Sequence, residues 1–267
     1  MSQANLLVEL FVEELPPKAL KKLGESFSSV LAASLKAQGL AGAQAAVTAY
    51  ASPRRLAVHV ADVAAKAADK AQQVKLMPVA VALAADGQPT PALLKKLAAV
   101  GADASVVPQL KRLPDGKAEA LFLDSMVPGA SLAEGLQKAL DEAIAKLPIP
   151  KVMTYQKADG WSDVKFVRPA HRLIALHGDQ VVPVQALGLS AGRETLGHRF
   201  EASHPVVAIE HADRYAAQLR EQGAVIASFD ERRAEIVRQL QAAAAQEGLK
   251  PIEDEALLDE VTALVEK

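Results

Sequence analysis

The stretch LLVELFVEELPPKAL, residues 6–20, joins a short apolar run to a strongly patterned segment. Residues 6–11 are apolar except for one glutamate, a length and composition typical of a buried strand. Pro17 then occupies a position where the first turn of a helix tolerates proline. Apolar residues recur after it at intervals of three and four, and Gly39 stands where many helices end in a left-handed glycine. The stretch therefore predicts a buried strand followed by a helix over residues 17–38.

The residues that follow predict two further strands and an insertion. Strand candidates cover residues 46–50 and 56–63, with a Ser-Pro-Arg-Arg turn between them. Near residues 64–125, a short helix that opens after Thr90 precedes a turn and a strand, a pattern that predicts a helix-and-hairpin insertion. After the insertion, Ser131 is followed three residues later by a glutamate, the signature of a capping box at the start of a helix.

Strand signals dominate the region from residue 151 to residue 211. The runs lie at residues 165–167, 173–177, 181–187 and 206–209. Gly178 and Asp179 predict a two-residue turn between two of these runs, and neighbouring short strands favour antiparallel pairing. Helical patterns return near the carboxy terminus. They lie at about residues 212–222, 230–247 and 253–266. No stop signal follows the last pattern, so a longer helical domain is expected to continue from it.

These patterns together predict an α+β fold, with mainly antiparallel sheets, packed helices and a helical carboxy-terminal segment. The predicted domain organisation has three parts. Residues 1–150 form an amino-terminal α+β region that carries the insertion. Residues 151–211 form a strand-rich α+β module, and residues 212–267 form a helical segment that begins a longer helical domain.

Composition restricts the possible chemistry. The 267 residues include no cysteine, which excludes thiol nucleophiles, cysteine-ligated zinc and disulfide frameworks and agrees with a reducing cytoplasm. The formal net charge is -2, so no global basic field attracts the chain to nucleic acid or to an anionic membrane. Aromatic residues make up only 4%, which leaves few stacking platforms for bases. Glutamates interrupt the opening apolar run before it reaches transmembrane length, so no membrane association is expected.

The turn between the second and third predicted strands presents two neighbouring arginines. Arg54 and Arg55 follow Pro53, and guanidinium groups held at a rigid point are suited to paired contact with phosphate. A solvated turn or an internal salt bridge is the alternative interpretation. The sequence therefore predicts either a phosphate or partner contact here, or a structural ion pair.

Two other basic groups flank predicted strands. Arg168 and Arg172 surround a proline just ahead of a buried strand, where they can grip RNA or a partner carboxylate or, alternatively, close a domain interface through backbone carbonyls. Arg193, His198 and Arg199 lie in a glycine-containing connection, which lets backbone approach a ligand while these side chains supply donors. A structural role, with Arg199 paired to an acidic neighbour, is the alternative for this connection.

No recognisable reaction centre occurs in the sequence. The HExxH, GxSxG, Walker and GxGxxG patterns are absent, and the six histidines show no metal-ligand spacing. Glu13 and Glu14 are adjacent in an extended segment and face opposite ways, which favours one carboxylate capping the following helix over an acid–base pair. We therefore predict no catalytic residue and no metal site in this chain.

Seven blocks of the sequence resemble, in the same order, the amino-terminal part of one family, the beta subunits of bacterial heterotetrameric glycyl-tRNA synthetases. The blocks are LLVELFVEELPPKAL (6–20), SPRRLAVHV (52–60), LPIPKVMTY (147–155), FVRPAHRLIALHGDQVVPVQALGL (166–189), GRETLGHRF (192–200), VIASFDERRAEI (225–236) and LLDEVTALVE (257–266). Several unrelated motifs in one order make the resemblance specific. The chain departs from the family pattern at Thr154 and Tyr155, where a more basic and Trp-like pair is expected, and in the alanine-rich stretch at 64–110.

The resemblance implies an enzyme of two alpha and two beta chains, in which the alpha subunit activates glycine with ATP. The beta subunit then binds tRNA(Gly) and supports the assembly. ATP and Mg²⁺ are accordingly expected on the partner alpha subunit, with no cofactor in this chain, and this chain alone is expected to be catalytically inactive. The family's beta chain is considerably longer, so the present chain is expected to be a truncation of it that acts in the cytoplasm.

The middle of the chain is also similar in kind to the B3/B4 region of the phenylalanyl-tRNA synthetase beta subunit, an α+β module. That likeness gives an alternative function, a deacylase that clears mischarged tRNA, for which only Arg193, Thr195 and His198 lie near one another in sequence. A pure assembly scaffold is a third interpretation. The tRNA-binding candidates under the leading interpretation are Arg54, Arg55, Lys151, Arg168, Arg172, Arg193, His198 and Arg199.

Overall fold

The computed structural model describes residues 3–84, 86–116, 118–157 and 159–267. Backbone contacts group the chain into two compact units. The larger unit comprises Met1–Ala67 and Ala130–Lys267, and the smaller unit comprises Ala68–Gly129. The sequence-based boundaries at residues 150 and 211 do not divide the contacts in this way. The strand-rich and carboxy-terminal helical segments belong to the larger unit because a strand near residue 175 pairs with the amino-terminal strand.

Strands and helices alternate irregularly along the chain. The strands are β1 (Gln3–Val12), β2 (Val47–Ser52), β3 (Arg55–Ala64), β4 (Lys70–Pro78), β5 (Lys111–Asp115), β6 (Ala118–Val127), β7 (Met153–Gln156), β8 (Asp163–Phe166), β9 (Ala170–His177), β10 (Gln180–Val181), β11 (Gln185–Ala186), β12 (Leu189–Ser190), β13 (Glu194–Leu196) and β14 (Val206–Ala208). The helices are α1 (Pro17–Ala37), α2 (Val79–Ala82), α3 (Pro91–Ala99), α4 (Leu132–Ala145), α5 (Tyr215–Glu221), α6 (Phe229–Gln246) and α7 (Glu255–Thr262), with 3-10 turns at Ala104–Gln109 and Ala212–Arg214.

A five-stranded antiparallel sheet forms the centre of the larger unit. Its strand order is β10-β9-β1-β3-β2, so the amino-terminal strand is flanked on both sides. Leu7 of β1 pairs with His59 on β3 and with Leu176 on β9. The strand is buried from Leu6 to Val12, as its nearly continuous apolar run predicts. The predicted α+β fold with antiparallel sheets is confirmed.

Apolar side chains cover both faces of this sheet. Leu6, Val8 and Leu10 of β1 belong to a core that they share with residues of helices α1 and α4. Leu7 points to the opposite face and belongs to a second core, which contains Tyr215 and other residues around α5. The alternation follows from the period of two along a strand, and it places the start of α5 directly against β1.

Helix α1 begins and ends where the sequence predicts. Pro17 is its first residue, and Gly39, just beyond its end, has a φ of +75°. The N–H of Gly39 donates to the carbonyl of Lys36 at 3.0 Å, and the N–H of Leu40 donates to the carbonyl of Leu35 at 3.0 Å. A residue with a side chain is strained at this φ, so glycine ends the helix at least cost.

The acidic pair before α1 has a different role from the one predicted. The N-cap residue is Pro16, which has no side-chain acceptor, and no acidic residue lies in the first turn of the helix. The carboxylate of Glu13 instead lies 2.9 Å from Nε2 of His171 on β9. The interpretation that one carboxylate of the pair caps the helix is therefore wrong, because the carboxylate of Glu13 contacts His171 on β9 instead.

Helix α4 begins with the predicted capping box. The hydroxyl of Ser131 accepts a hydrogen bond from the backbone N–H of Glu134 at 3.3 Å, and the Glu134 carboxylate accepts one from the backbone N–H of Ser131 at 3.0 Å. Hydrogen bonds from the side chain and backbone of Ser131 lower the pKa of Glu134 below its ordinary value.

One predicted strand is interrupted. The run at residues 181–187 leaves the main sheet after Val181, and pairing resumes only in β11, which faces β12 across a turn at Leu187 and Gly188. Pro183 explains the interruption because it has no N–H to donate to a sheet ladder. The prediction of one continuous strand here is wrong, although the two-residue turn at Gly178 is confirmed.

The last predicted helix is shorter than its apolar pattern. Helix α7 ends at Thr262, whereas the pattern extends to residue 266. The following residues turn back towards the sheet, and the carbonyl of Glu266 accepts a hydrogen bond from the N–H of Ile226 at 2.7 Å. This turn brings the side chain of Glu266 into the protein interior.

The smaller unit is a three-stranded antiparallel sheet with short helices. Its strand order is β4-β6-β5, and Leu93 and Leu97 of α3 pack with Leu121 and Leu123 of β6 in a core of its own. The hydroxyl of Thr90 accepts a hydrogen bond at the start of α3, as predicted. Strand β4, at Lys70–Pro78, begins the unit and pairs with β6.

Candidate functional site

The predicted arginine turn is buried. Arg54 and Arg55 lie where β2 turns into β3, and each guanidinium carbon lies 5.2 Å from the centre of the Phe11 ring. The side chain of Arg55 is completely buried, and that of Arg54 is nearly so. Because a fully buried guanidinium cannot reach a phosphate, Arg55 does not fit its predicted role as a tRNA contact.

The carboxylate of Glu266 joins the two arginines. Arg54 donates to it through Nη2 at 2.7 Å and through Nε at 3.2 Å, and Arg55 donates through Nη1 at 3.0 Å. Nη2 of Arg54 also donates to the carbonyl of Gly197 at 2.9 Å. The internal salt bridge, which the sequence leaves open as an alternative, is therefore the arrangement that the structure adopts.

Arg55 also meets a second buried carboxylate. Its Nε lies 3.5 Å from Glu9 on β1, whose carboxylate accepts a hydrogen bond from the hydroxyl of Tyr215. We refer to Glu9, Arg54, Arg55, Tyr215 and Glu266 as the buried arginine cluster. Its two guanidinium groups are balanced by two carboxylates, which is how proteins accommodate buried charge.

The buried arginine cluster shifts two pKa values. Burial raises the pKa of Glu266, but the charges and hydrogen bonds of Arg55 and Arg54 outweigh burial, so this pKa lies below its ordinary value. Burial, together with the neighbouring Glu9 carboxylate, raises the pKa of Tyr215 well above its ordinary value. At neutral pH, Glu266 is therefore an ionised acceptor and Tyr215 is a neutral hydrogen-bond donor.

An open cleft of about 740 Å³ adjoins the buried arginine cluster. We refer to it as the Arg199 cleft. Its polar lining consists of Glu13, Glu14, Arg54, Arg168, His198, Arg199, Glu201, Glu266 and Lys267. The lining carries charges of both signs, so the cleft is not a uniformly basic channel for a nucleic acid backbone.

The glycine-containing connection reaches the mouth of the cleft. Arg199 is exposed, and its guanidinium forms no ion pair or hydrogen bond with any residue that the structure describes. His198 is held by its own turn, because its Nδ1 accepts hydrogen bonds from the N–H groups of Phe200 at 3.3 Å and Glu201 at 3.2 Å. Of the three candidates in this connection, Arg199 is thus the one with a free cation.

Arg168, just ahead of β9, and Arg172, on β9, are engaged with protein groups. Nε of Arg168 donates to the carbonyl of Glu14 at 2.9 Å, and its Nη1 donates to the carbonyl of Val167 at 3.0 Å. Nη1 of Arg172 lies 2.8 Å from the carboxylate of Glu194. Arg168 lines the cleft whereas Arg172 does not. Arg168 makes the backbone-carbonyl contacts that were the alternative to an RNA contact, and Arg172 pairs with a carboxylate of the same chain.

The remaining two candidates lie apart from the cleft lining. Arg193 donates through Nη2 to the carbonyl of Asp179 at 2.8 Å and through Nη1 to the carbonyl of Ile209 at 3.4 Å. Lys151 is exposed at the start of the segment that leads into β7. The structure therefore brings together Arg54, Arg168, His198 and Arg199, but not Arg172, Arg193 or Lys151.

The three residues considered for a deacylase do not share a surface. Thr195 is fully buried on β13, and its hydroxyl oxygen has no hydrogen-bond partner among the described residues. Arg193 is engaged by backbone carbonyls, and only His198 reaches the cleft. A positioned water and a stabilising donor would have to meet at one point for such chemistry, so this arrangement does not favour an editing site.

Several residues that shape the site escape detection in the sequence. Phe200 is 86% exposed beside Arg199, and Lys267 lines the cleft and forms an ion pair with Glu201 at 2.5 Å. An aromatic residue next to an arginine in a turn is a usable signal for Phe200. No local signal identifies Glu9 or Glu266 as partners of the arginine turn.

Neither a metal site nor a membrane span is formed by the residues that the structure describes. Within them, no set of three or more acidic or histidine side chains is arranged to hold a metal ion. In the same part of the chain, none of the helices combines the length and the apolar character needed to span a bilayer.

Comparison with known proteins gives one consistent family. The family described as glycyl-tRNA synthetase beta subunit matches residues 6–267. A glycine–tRNA ligase beta subunit from Leptothrix cholodnii is 77% identical over 267 residues, which are 100% of this chain and 37% of that protein. Proteins of the same name from Acidovorax ebreus and Dechloromonas aromatica are 70% and 68% identical over 270 and 277 residues, again over 100% of this chain and over 38% and 39% of theirs. The chain thus spans well under half the length of these relatives, and it belongs to the glycyl-tRNA synthetase beta subunit family.

Proposed function

We propose that this chain contacts tRNA(Gly) and supports the assembly of a cytoplasmic glycine–tRNA ligase made of two alpha and two beta subunits. ATP, Mg²⁺ and the activation of glycine are assigned to the alpha subunit, which leaves this chain without a cofactor. Membership of the beta subunit family supports the proposal. The absence of converging catalytic groups among the described residues around the Arg199 cleft is compatible with a non-catalytic role.

The observation that carries the RNA-binding part is the pair formed by Arg199 and Phe200. A free guanidinium suits a phosphate, and an exposed aromatic ring suits an unstacked base. The loop is positioned tightly, since a Cβ on Gly197 would lie 2.6 Å from the Cβ of Ala202 and 2.8 Å from the Cα of Gly223. Because both side chains are exposed, we assign the RNA contact to this turn.

Replacing Arg199 with alanine is expected to weaken tRNA binding and to reduce its salt dependence. Removal of one phosphate contact lowers the slope of log affinity against log salt by about one unit. Fluorescence anisotropy of end-labelled tRNA(Gly), measured over a range of salt concentrations, checks this. Arg238→Ala on α6 is the matched control, because Arg238 is exposed but already paired with Glu235. Binding that is insensitive to salt, or equal slopes for both variants, would leave the scaffold interpretation standing.

The assembly part rests on exposed apolar side chains in and around the carboxy-terminal helices. Large apolar side chains are exposed there, namely Leu240, Leu249, Ile252, Leu257 and Leu264. Apolar residues concentrated on one surface mark sites of protein packing. Because the relatives are more than twice as long as this chain, we assign these side chains to contact with a further part of a full-length beta chain, which is the form that enters the assembly.

Amide hydrogen exchange checks this assignment. In the full-length relative from Leptothrix cholodnii, the segment equivalent to residues 240–257 is expected to exchange more slowly than in the 267-residue chain, because packing restricts local opening. The equivalent of β1 serves as the reference, since its amides are already protected in both proteins. Equal exchange rates in the carboxy-terminal helices of the two proteins would contradict the assignment.

A further inference from the structure

The hairpin of β7 and β8 carries the single tryptophan of the chain at its free end. Trp161 is 92% exposed. Among the described residues, no aromatic or cation–π contact involves its indole ring. Tryptophan usually buries most of its large apolar surface in the protein interior. Its ring is also the best aromatic partner for a cation or a stacked base. An indole presented in this way requires an explanation beyond folding.

The turn that presents Trp161 is fixed by hydrogen bonds. The carboxylate of Asp159 accepts from the N–H groups of Trp161 at 2.9 Å and Ser162 at 2.8 Å. The N–H of Lys157 donates to the carbonyl of Ser162 at 2.8 Å, which closes the end of the hairpin. Hydrogen bonds from Ser162 and Trp161 lower the pKa of Asp159 to about 2, so the acceptor stays ionised at neutral pH.

The base of the hairpin is anchored in the protein. Val164 and Phe166 of β8 are buried in the main core, and Tyr155 of β7 packs against that core. The hydroxyl of Tyr155 also accepts a hydrogen bond from the N–H of Ala170 at 3.1 Å, which ties the hairpin to the start of β9. An exposed ring on an anchored hairpin loses little conformational freedom when a ligand stacks on it.

Three lysines lie on this hairpin or at its base. Lys151 and Lys165 are exposed and Lys157 is half-buried, and none of the three forms a salt bridge with a described residue. Residues 151–166 contain these three lysines against two aspartates, of which one, Asp159, is occupied by the turn itself. The free ammonium groups of this segment, together with the exposed indole, therefore favour an anionic partner with a flat aromatic face.

We propose that Trp161 is a stacking platform for an unpaired nucleobase of RNA, with Lys151, Lys157 and Lys165 available to the neighbouring phosphates. The inference rests on the proposed tRNA-binding function and adds a second contact, separate from the mouth of the Arg199 cleft. Base stacking on an aromatic ring combined with phosphate contacts to lysine is the usual way in which proteins hold single-stranded nucleic acid. A duplex, whose bases are already stacked, does not offer this contact.

The single tryptophan makes the proposal directly measurable. Titration of the 267-residue chain with a tRNA(Gly) transcript, and with a single-stranded RNA 10-mer, is expected to quench the emission of Trp161. A duplex of the same 10-mer is expected to leave the emission unchanged. Trp161→Ala is expected to weaken binding of the single strand roughly 5- to 150-fold, the range observed when one stacked base loses its aromatic partner. Trp161→Phe is expected to retain most of the affinity.

Controls separate this inference from the proposed function. Ile252→Ala is the matched variant, because Ile252 is a large apolar side chain that is 93% exposed, and its RNA affinity is expected to be unchanged. Labelled tRNA that binds by anisotropy while the emission of Trp161 stays constant would overturn the stacking site and leave tRNA binding intact. A lack of any RNA binding would overturn both. Quenching by the alpha subunit but not by RNA would reassign the hairpin to protein docking and overturn the inference.

Discussion

Replacing Arg55 with methionine is expected to lower the free energy of unfolding by about 3–5 kcal/mol. The substitution removes the guanidinium that faces both Glu9 and Glu266, while the buried positions of these carboxylates remain. An unpaired charge inside a protein is costly, because water no longer solvates it. Urea denaturation followed by far-UV circular dichroism measures the effect. Tryptophan fluorescence is unsuitable, since Trp161 is 92% exposed before unfolding begins.

Two further variants test whether the loss comes from the buried arginine cluster. Arg172→Met breaks a partly exposed ion pair with Glu194 and is expected to cost less than about 1 kcal/mol. Addition of Glu9→Gln to Arg55→Met is expected to recover part of the lost stability, because the carboxylate that loses its ion-pair partner becomes neutral. If Arg55→Met is no more destabilising than Arg172→Met, the cluster does not stabilise the fold.

Replacing Arg232 with methionine is expected to lower the free energy of unfolding by roughly 3 kcal/mol or more. Arg232, at the start of α6, is completely buried, and burial lowers its pKa to about 10, which leaves it protonated at neutral pH. Its guanidinium donates to the carbonyls of Ile226 at 2.7 Å, Ala51 at 2.9 Å and Thr262 at 3.1 Å. Methionine supplies no donor, so these carbonyls lose a charged partner.

The neighbouring arginine provides the matched control for this variant. Arg233 lies on the same helix as Arg232 and pairs at the surface with Glu255 and Asp259 of α7. Arg233→Met is expected to lower the free energy of unfolding by about 1 kcal/mol or less. Arg232 joins β2 to the end of α7, and the N–H of Ile226 donates to the carbonyl of Glu266 just beyond that end. Amide exchange at Ile226 is therefore expected to accelerate in Arg232→Met but not in Arg233→Met. Similar losses of stability for the two variants would contradict this assignment.

Structural features that depend on near neighbours in sequence are predictable from it. Pro17 and Gly39 mark the ends of α1 because each residue has a special backbone preference. Ser131 marks the start of α4 because a capping box spans only four residues. The apolar period distinguishes the buried strand β1 from the helix that follows it. These features suffice for the α+β fold.

Contacts between distant residues are not predictable in this way. Arg54 and Glu266 are 212 positions apart, and nothing around the Ser-Pro-Arg-Arg turn distinguishes a buried arginine from an exposed one. The division into two units depends on the pairing of β1 with β9, which the short apolar runs do not encode. The interruption at Pro183 is readable in principle, because proline cannot donate in a central strand.

The candidate site also combines features that the sequence predicts with features that depend on distant contacts. The family, and with it the hypothesis of a role in handling tRNA, follows from short motifs spread along the chain. The fold decides which cationic side chains are free of protein partners. It reduces the eight tRNA-binding candidates mainly to Arg199 and Lys151. The exposed ring of Trp161 escapes prediction because exposure is a property of the surroundings, which a scarce residue type does not reveal.

The central position of β1 has a consequence for synthesis on the ribosome. Leu6 pairs with His177, so one edge of β1 lacks its neighbour until some 170 further residues have been added. At bacterial elongation speeds of roughly 5–20 residues per second, that wait is on the order of 10–30 seconds. During this time an apolar strand edge is open to pairing with other nascent chains, a known route to aggregation. We therefore expect the nascent chain to depend on ribosome-associated chaperones until β9 has left the exit tunnel.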